Sequence, residues 1–198
     1  PFWFPAVVNQ TQLASTAEEA ADIAKAATES QSASSQLKLL YAQTLEKAGK
    51  RDLAVTVYRS LLDQDKSGAE PKKRAVQLLL LASALDSNGD WDSARNALED
   101  AAQLDPKNPQ ILNYLGYSLL EKRIDVVRGF ELVSEAYQLA PLSAAITDSL
   151  GWAHFLKGDV DTAIPLLERA VKGAIADAAI NEHLGDAYWA AGRRSEAR

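Results

Sequence analysis

His154 and His183 are the chain's only imidazoles, so they are the first places to look for acid–base or metal chemistry. His183 follows Glu182 directly and precedes Asp186 by three residues, which sets three possible metal ligands within one helical turn. Two or three ligands on one exposed helix, with no second element to complete the shell, read as polar surface rather than as a metal site. His183 stands next to Leu184 and is expected to face outward. His154 is expected to be a core histidine with one hydrogen bond. No serine lies in a G-x-S-x-G elbow. There is no G-x-x-x-x-G-K phosphate loop and no G-x-G-x-x-G turn. The carboxylate pairs Glu18-Glu19 and Glu99-Asp100 are expected on solvated helix faces, not converging in a cleft. Cysteine is absent, which excludes disulfides, thiol catalysis and zinc held by thiolates. The residues therefore predict no enzyme, no cofactor and no metal.

Composition narrows the partners. The chain has 198 residues, 47% of them apolar, and a net charge of −6. Lys72-Lys73-Arg74 is one short basic cluster rather than a stripe, so nucleic acid is not expected. No apolar run approaches the ~20 residues that span a bilayer, so direct membrane insertion is not expected either.

The elements that would position these side chains come from a repeat. Leu115-Gly116, Leu150-Gly151 and Leu184-Gly185 share one context at spacings of 35 and 34. Leu78, Leu81, Ala82 and Leu85 fit one face of a helix that ends at Gly89. Ala94, Leu98 and Ala101 fit a second helix that closes at Pro106. The frame L-x2-L-A-x2-L-x3-G-x4-A-x3-L-x2-A-x4-P recurs along the chain. It marks units at 35–74, 75–108, 109–143 (one extra residue in its turn) and 144–177. A unit starting at 178 is cut at Arg198, and 1–34 is a degenerate first unit. Small residues recur where the two helices of a pair should cross: Ala42, Ala82, Gly116, Gly151 and Gly185 on the first, Ala20, Ala54, Ala94, Ala163 and Ala197 on the second. Gly49, Gly89, Gly158 and Gly192 stand where a first helix ends. Asp52, Asp90 and Asp159 lie at or near the next helix start.

This frame resembles the tetratricopeptide repeat, whose pattern is W-x2-L-G-x2-Y…A-x3-F…P. The resemblance is good over 35–198 and weak over 1–34. It implies an all-α fold, a right-handed superhelical solenoid of tandem antiparallel helix pairs. It places His154 at a position usually held by tyrosine. It also implies that the first helix of each pair lines a concave face. In the early units that selects Gln36, Leu39, Gln43 and Glu46, then Val76, Leu79, Ser83 and Asp86. In the later units it selects Asn113, Tyr114, Tyr117, Asp148, Trp152, Phe155, Glu182, His183, Asp186 and Trp189. Aromatic and acidic residues gather in the later set, which points to a groove for a protein or peptide segment of neutral to basic charge. The competing reading packs Trp152, Phe155 and Trp189 between neighbouring first helices as core. A Lys/Arg/Asn clamp for a terminal carboxylate, present in some members of the family, is matched in type here only by Asn113. The expected role is a scaffold or adaptor. The alternatives are a regulatory or sensing module of a larger, possibly enzyme-linked protein, and a self-assembly spacer with an inert groove.

The phrases at 112–117, 146–152 and 180–189 are similar to the C-terminal repeats of bacterial tetratricopeptide proteins, notably alphaproteobacterial ones. Many of those act in the cell envelope, so a periplasmic or envelope-associated location is expected. Both ends of the chain read as cuts in a longer protein, and the uncovered ends leave room for a homodimer. Three local departures carry expectations. Gly129 stands for an alanine and should loosen its helix. Pro165 should cost one hydrogen bond and bend another helix. The segment 64–74 should form an extended turn. In Pro1-Phe2-Trp3-Phe4-Pro5, proline should prevent an ordinary helix from starting at Phe4. That stretch is expected either to pack under Ala20, Ile23 and Ala24 or to dock in a neighbour's groove.

Overall fold

A computed structural model describes residues 4–29, 34–64 and 70–197. Among them every regular element is an α-helix. The helices divide between two compact units, residues 1–105 and 106–198.

The first unit holds α1 (Phe4–Leu13), α2 (Ala17–Thr28), α3 (Ser35–Lys47), α4 (Arg51–Gln64), α5 (Pro71–Ser87) and α6 (Trp91–Leu104). The small residues sit where close crossing requires them. Ala42, Ala54, Ala82 and Ala94 are fully buried, and Ala20 is nearly so. Helix α1 corrects the expectation for the chain start. It begins at Phe4, one residue before Pro5. A proline in the first turn lacks only an N–H that would have no helical partner there. Phe4 then packs with Ile23 and Leu40 on the buried residues Val7, Ala27 and Leu37. Residues 1–3 lie outside the described ones, as do residues 65–69 of the expected extended turn. Proline at the first turn opens α5 at Pro71.

The second unit holds α7 (Pro109–Glu121), α8 (Val126–Leu139), α9 (Ala144–Leu156), α10 (Val160–Gly173) and α11 (Ala178–Ala190). Its core is built in layers. Leu112, Ala136 and Ile146 form one, and Leu120, Val133 and Ala153 the next. Ala163, Ile164, Leu167 and Ala187 form a third. Pro165 stays inside a continuous α10 and is exposed there.

Gly129 does more than loosen α8. A Cβ on it would lie 2.8 Å from the Leu120 side chain and 2.9 Å from the Gly116 carbonyl oxygen. The missing side chain is what lets α7 and α8 approach.

From α3 onward, the turn that ends the first helix of each pair has one geometry. Gly49, Gly89, Gly158 and Gly192 take φ from 70° to 84°. The next residue then donates its N–H five residues back, as Asp90 does to Leu85 O (2.9 Å) and Asp159 to His154 O (3.0 Å). This is a Schellman closure, which satisfies helix-end carbonyls and reverses the chain. Arg123 fills the same seat in the second unit at φ 51°, and Ile124 donates to Leu119 O at 3.1 Å. Asp90 and Asp159 cap the following helices by accepting from Ser93 N and Thr162 N. The Asp52 carboxylate instead accepts from the Asn88 amide at 2.8 Å, which ties α4 to the end of α5.

Candidate functional site

The site is built on α7, α9 and α11 of the second unit. Each starts at a polar cap: Asn108, Ser143 and Asp177 accept hydrogen bonds from the first-turn amides. Equal caps in equal registers set equal repeat positions on equal faces. Asn113, Asp148 and Glu182 are one such set, each two residues before the repeat leucine. Tyr114, Ser149 and His183, one residue before it, are the next.

These two sets meet between neighbouring first helices. The His183 Nδ1 lies 2.9 Å and 3.0 Å from the two Asp148 carboxylate oxygens. Both residues are buried, Asp148 at 5% exposure and His183 at 8%. The outward direction expected for His183 is therefore corrected. The position before Leu184 looks sideways from α11 onto α9. Burial there is affordable to an imidazole only because it has a carboxylate partner. His154 matches its expectation better. It is half-buried, with Nδ1 3.0 Å from the Asp159 carboxylate. Bonds from Thr162 first, and then from His154, hold that carboxyl below its usual range.

Trp152 is the hinge-pin of the arrangement. Its ring stacks on His183 (centroids 4.2 Å, 15°) and on Phe155 (4.8 Å, 20°). Its indole N–H donates to Glu121 of α7 at 3.0 Å. Phe155 packs with Leu184 and Tyr188 on the buried Ala163, Ile164, Leu167 and Ala187. Trp152 and Phe155 are thus half-buried, Trp152 packed between first helices and Phe155 against α10 and α11. Trp189 is 58% exposed, with the Arg194 guanidinium over its ring at 5.1 Å. Glu182 and Asp186 are exposed on the same helix.

Five of the expected groove residues, Asn113, Tyr114, Tyr117, Asp148 and His183, converge on one recess of about 260 Å³. Ser149 and Asp177 complete its polar wall, with Ala145, Ala179 and Ile180 between them. The Tyr117 phenol is held well above its usual range, first by burial, then by Glu121, to which it is hydrogen-bonded, and by Asp148 and Glu182. The carboxylate field around the recess is thus felt at a neutral group. Sequence reading missed Glu121, although it lies one turn beyond Tyr117 on the same face. It also missed Ser149 and Asp177. Among the described residues no group of three or more histidine and carboxylate side chains could hold a metal ion. No helix there is long and apolar enough to cross a membrane.

Comparison with known proteins agrees with this architecture. Tetratricopeptide-repeat family models match residues 75–118 and 149–198. The TPR repeat-containing protein PA4667 of Pseudomonas aeruginosa is 28% identical, over 62% of this chain and 26% of its own length. The chain thus spans about a quarter of that relative. Two solved structures are similar in fold. A tetratricopeptide repeat protein from Parabacteroides merdae superposes with a TM-score of 0.72 at 15% identity, over 98% of this chain and 75% of its own. The pilF protein of Pseudomonas aeruginosa gives 0.67 at 18% identity, over 83% of this chain and 72% of its own. The paired helices, the glycine-closed turns, the buried small residues and the two matched segments agree: residues 75–118 and 149–198 carry tetratricopeptide repeats, and the described residues have an all-helical, tetratricopeptide-like repeat fold.

Proposed function

We propose that the chain is a non-enzymatic scaffold or adaptor, and that a partner protein docks on the face presented by α7, α9 and α11. The observation that carries this reading is the recess itself. Half-buried tyrosines and buried polar groups converge there from three successive first helices. Tyrosines anchored beside charge are the residue types that carry binding energy at interfaces. The acidic surroundings favour a neutral to basic segment of the partner. The likeness of the later repeats to those of bacterial envelope proteins supports a periplasmic or envelope-associated location as part of this proposal, and fractionation of cells expressing the whole protein tests it.

The test is capture from an envelope extract, with the wild-type chain compared against a Tyr114→Ala/Tyr117→Ala variant. Trp152 is left intact because its stacks hold α9 against α11. Circular dichroism must first show both proteins folded to the same extent. A protein retained by the wild type and lost by the variant supports docking on this face. Equal retention moves the docking surface elsewhere. The alternatives are a regulatory module of a larger protein and a self-assembly spacer. Concentration-dependent growth in mass by light scattering, unchanged by the tyrosine variant, would favour the spacer.

A further inference from the structure

The polar groups in the walls of the recess on α7, α9 and α11 are mainly hydrogen-bond acceptors. Both oxygens of the buried Asp148 carboxylate share one donor, the His183 Nδ1. A carboxylate has about four lone-pair sites, so acceptor capacity remains. The Asn113 Oδ1 is buried and has no hydrogen-bond partner. The Ser149 hydroxyl donates to Ala145 O at 3.0 Å, and the Tyr117 hydroxyl is committed to Glu121. Their oxygens are left to accept. Asp177 adds a second carboxylate at the mouth. No lysine or arginine lines the recess.

One feature could have argued for an anion, namely the α11 N-terminus at the edge of the recess. It is already neutralised. The Asp177 Oδ1 accepts from Ala179 N at 3.0 Å and from Ile180 N at 3.3 Å. An anion would therefore face two carboxylates and no free positive group. A neutral apolar side chain would leave Asn113 Oδ1 without a donor, a deficit that a buried acceptor retains until some donor meets it.

We propose that this recess receives the cationic end of a lysine or arginine side chain from the docked partner, with Asp148 and Asn113 as its principal acceptors. The proposal rests on the docking face described above and adds the chemistry of its central contact. A desolvated cation beside a buried carboxylate gains a charge-assisted bond, about twice as strong as a neutral one. Tyr114 and Tyr117 flank it with aromatic rings, which also favour a cation. The cation would share Asp148 with His183, so the carboxylate is met from both sides.

The test uses wild-type protein and three small probes: Nα-acetyl-arginine methylamide, Nα-acetyl-lysine methylamide and the neutral isostere Nα-acetyl-citrulline methylamide. Backbone amide shifts are followed by NMR. At least one cationic probe should give saturable shifts at residues 145–149 and 177–183, weakened by added salt. Citrulline should bind roughly tenfold or more weakly, the ratio expected for loss of one charge-assisted contact. The arginine and lysine arms show which cation is preferred. Asn113→Leu, which keeps the Asp148–His183 pair, should also weaken the cationic probe. Equal binding by citrulline, shifts confined to other surfaces, or no saturable shift with either cation overturns the proposal. The docking reading is judged separately. If a partner is captured by this face and competes with none of the probes, docking stands and the cation pocket falls.

Discussion

Gly116 on α7 and Gly129 on α8 interlock across their helix crossing. A Cβ on Gly116 would lie 2.9 Å from the Gly129 carbonyl oxygen, and one on Gly129 would lie 2.9 Å from the Gly116 carbonyl oxygen. Each glycine is the space that the other's backbone occupies. Helix propensity alone favours alanine over glycine by about 1 kcal/mol at such positions. The geometry reverses that sign, because the obstacle is backbone and cannot swing away. Gly129→Ala and Gly116→Ala are each expected to destabilise the protein by roughly 1–3 kcal/mol, the usual cost of overpacking. Urea unfolding monitored by circular dichroism measures it. A stabilised Gly129→Ala protein would show that the crossing is looser than described.

Arg123 supplies the opposite case. It holds φ at 51° in a seat that four other turns give to glycine, and it is exposed. Left-handed geometry costs an L-residue about 1–2 kcal/mol, while glycine costs some unfolded-state entropy. Arg123→Gly is expected to stabilise the protein by about 0.5–1 kcal/mol. The reverse change, Gly158→Ala at φ 82°, should destabilise it by a similar amount. A shift in the thermal midpoint in opposite directions for the two variants is the expected readout.

Tyr58 is buried in the first unit, and its hydroxyl donates to the Glu46 carboxylate at 2.6 Å. Burial first, and then this carboxylate, hold the phenol far above its ordinary range. The folded pKa exceeds that of the unfolded tyrosine, about 10. The associated stability is therefore fully present below about pH 10 and is lost as pH rises towards the raised folded value. Unfolding free energy should fall on going above about pH 10. In Tyr58→Phe that fall should be shallower, against a baseline lowered by about 1.5 kcal/mol for the lost bond to a charged acceptor. Denaturant midpoints measured across alkaline pH would decide it; parallel curves for the two proteins would assign the fall to other groups.

The Asp148–His183 pair should behave as a unit. His183→Ala strips a buried carboxylate of its donor, and roughly 3 kcal/mol of destabilisation is expected. Adding Asp148→Ala should recover a good part of that loss, since the charge left without a partner is then gone. A double-mutant cycle on unfolding free energies measures the coupling. Additive losses would mean that the two side chains do not depend on each other. Stacking of Trp152 on His183 provides a second readout, a change in near-ultraviolet circular dichroism in His183→Ala.

The spacing of Leu115, Leu150 and Leu184, and of the glycines that follow, was enough to read the helix pairs and their turns. A 34-residue repeat leaves a periodic trace because each unit must bury the same stripe against the next. Ala42, Ala54, Ala82, Ala94 and Ala163 all lie buried where the pattern placed them. The pattern also contained a signal that went unread. Counting eight residues from Leu115 lands on Arg123, as the same count from Leu81, Leu150 and Leu184 lands on Gly89, Gly158 and Gly192.

The groove was legible only as a list of positions. Repeat numbering states which way a residue faces on its own helix, but not what the neighbouring helix brings to meet it. His183 illustrates the gap. By itself it looked like polar surface, yet it is buried because Asp148, 35 residues earlier, presents a carboxylate to it. Trp152 looked like a docking aromatic, and the offset between neighbouring helices turned it into a bracket between Glu121 and His183. Gly129 looked like a weakened helix and proved to be the condition for a close crossing. Sequence by itself determined the helices, their pairing and their closures, since these depend on contacts that recur within each unit. Tertiary structure decided which polar groups were buried, which aromatics became core and where the acceptors gathered, because those outcomes depend on side chains of different units meeting across a packed boundary.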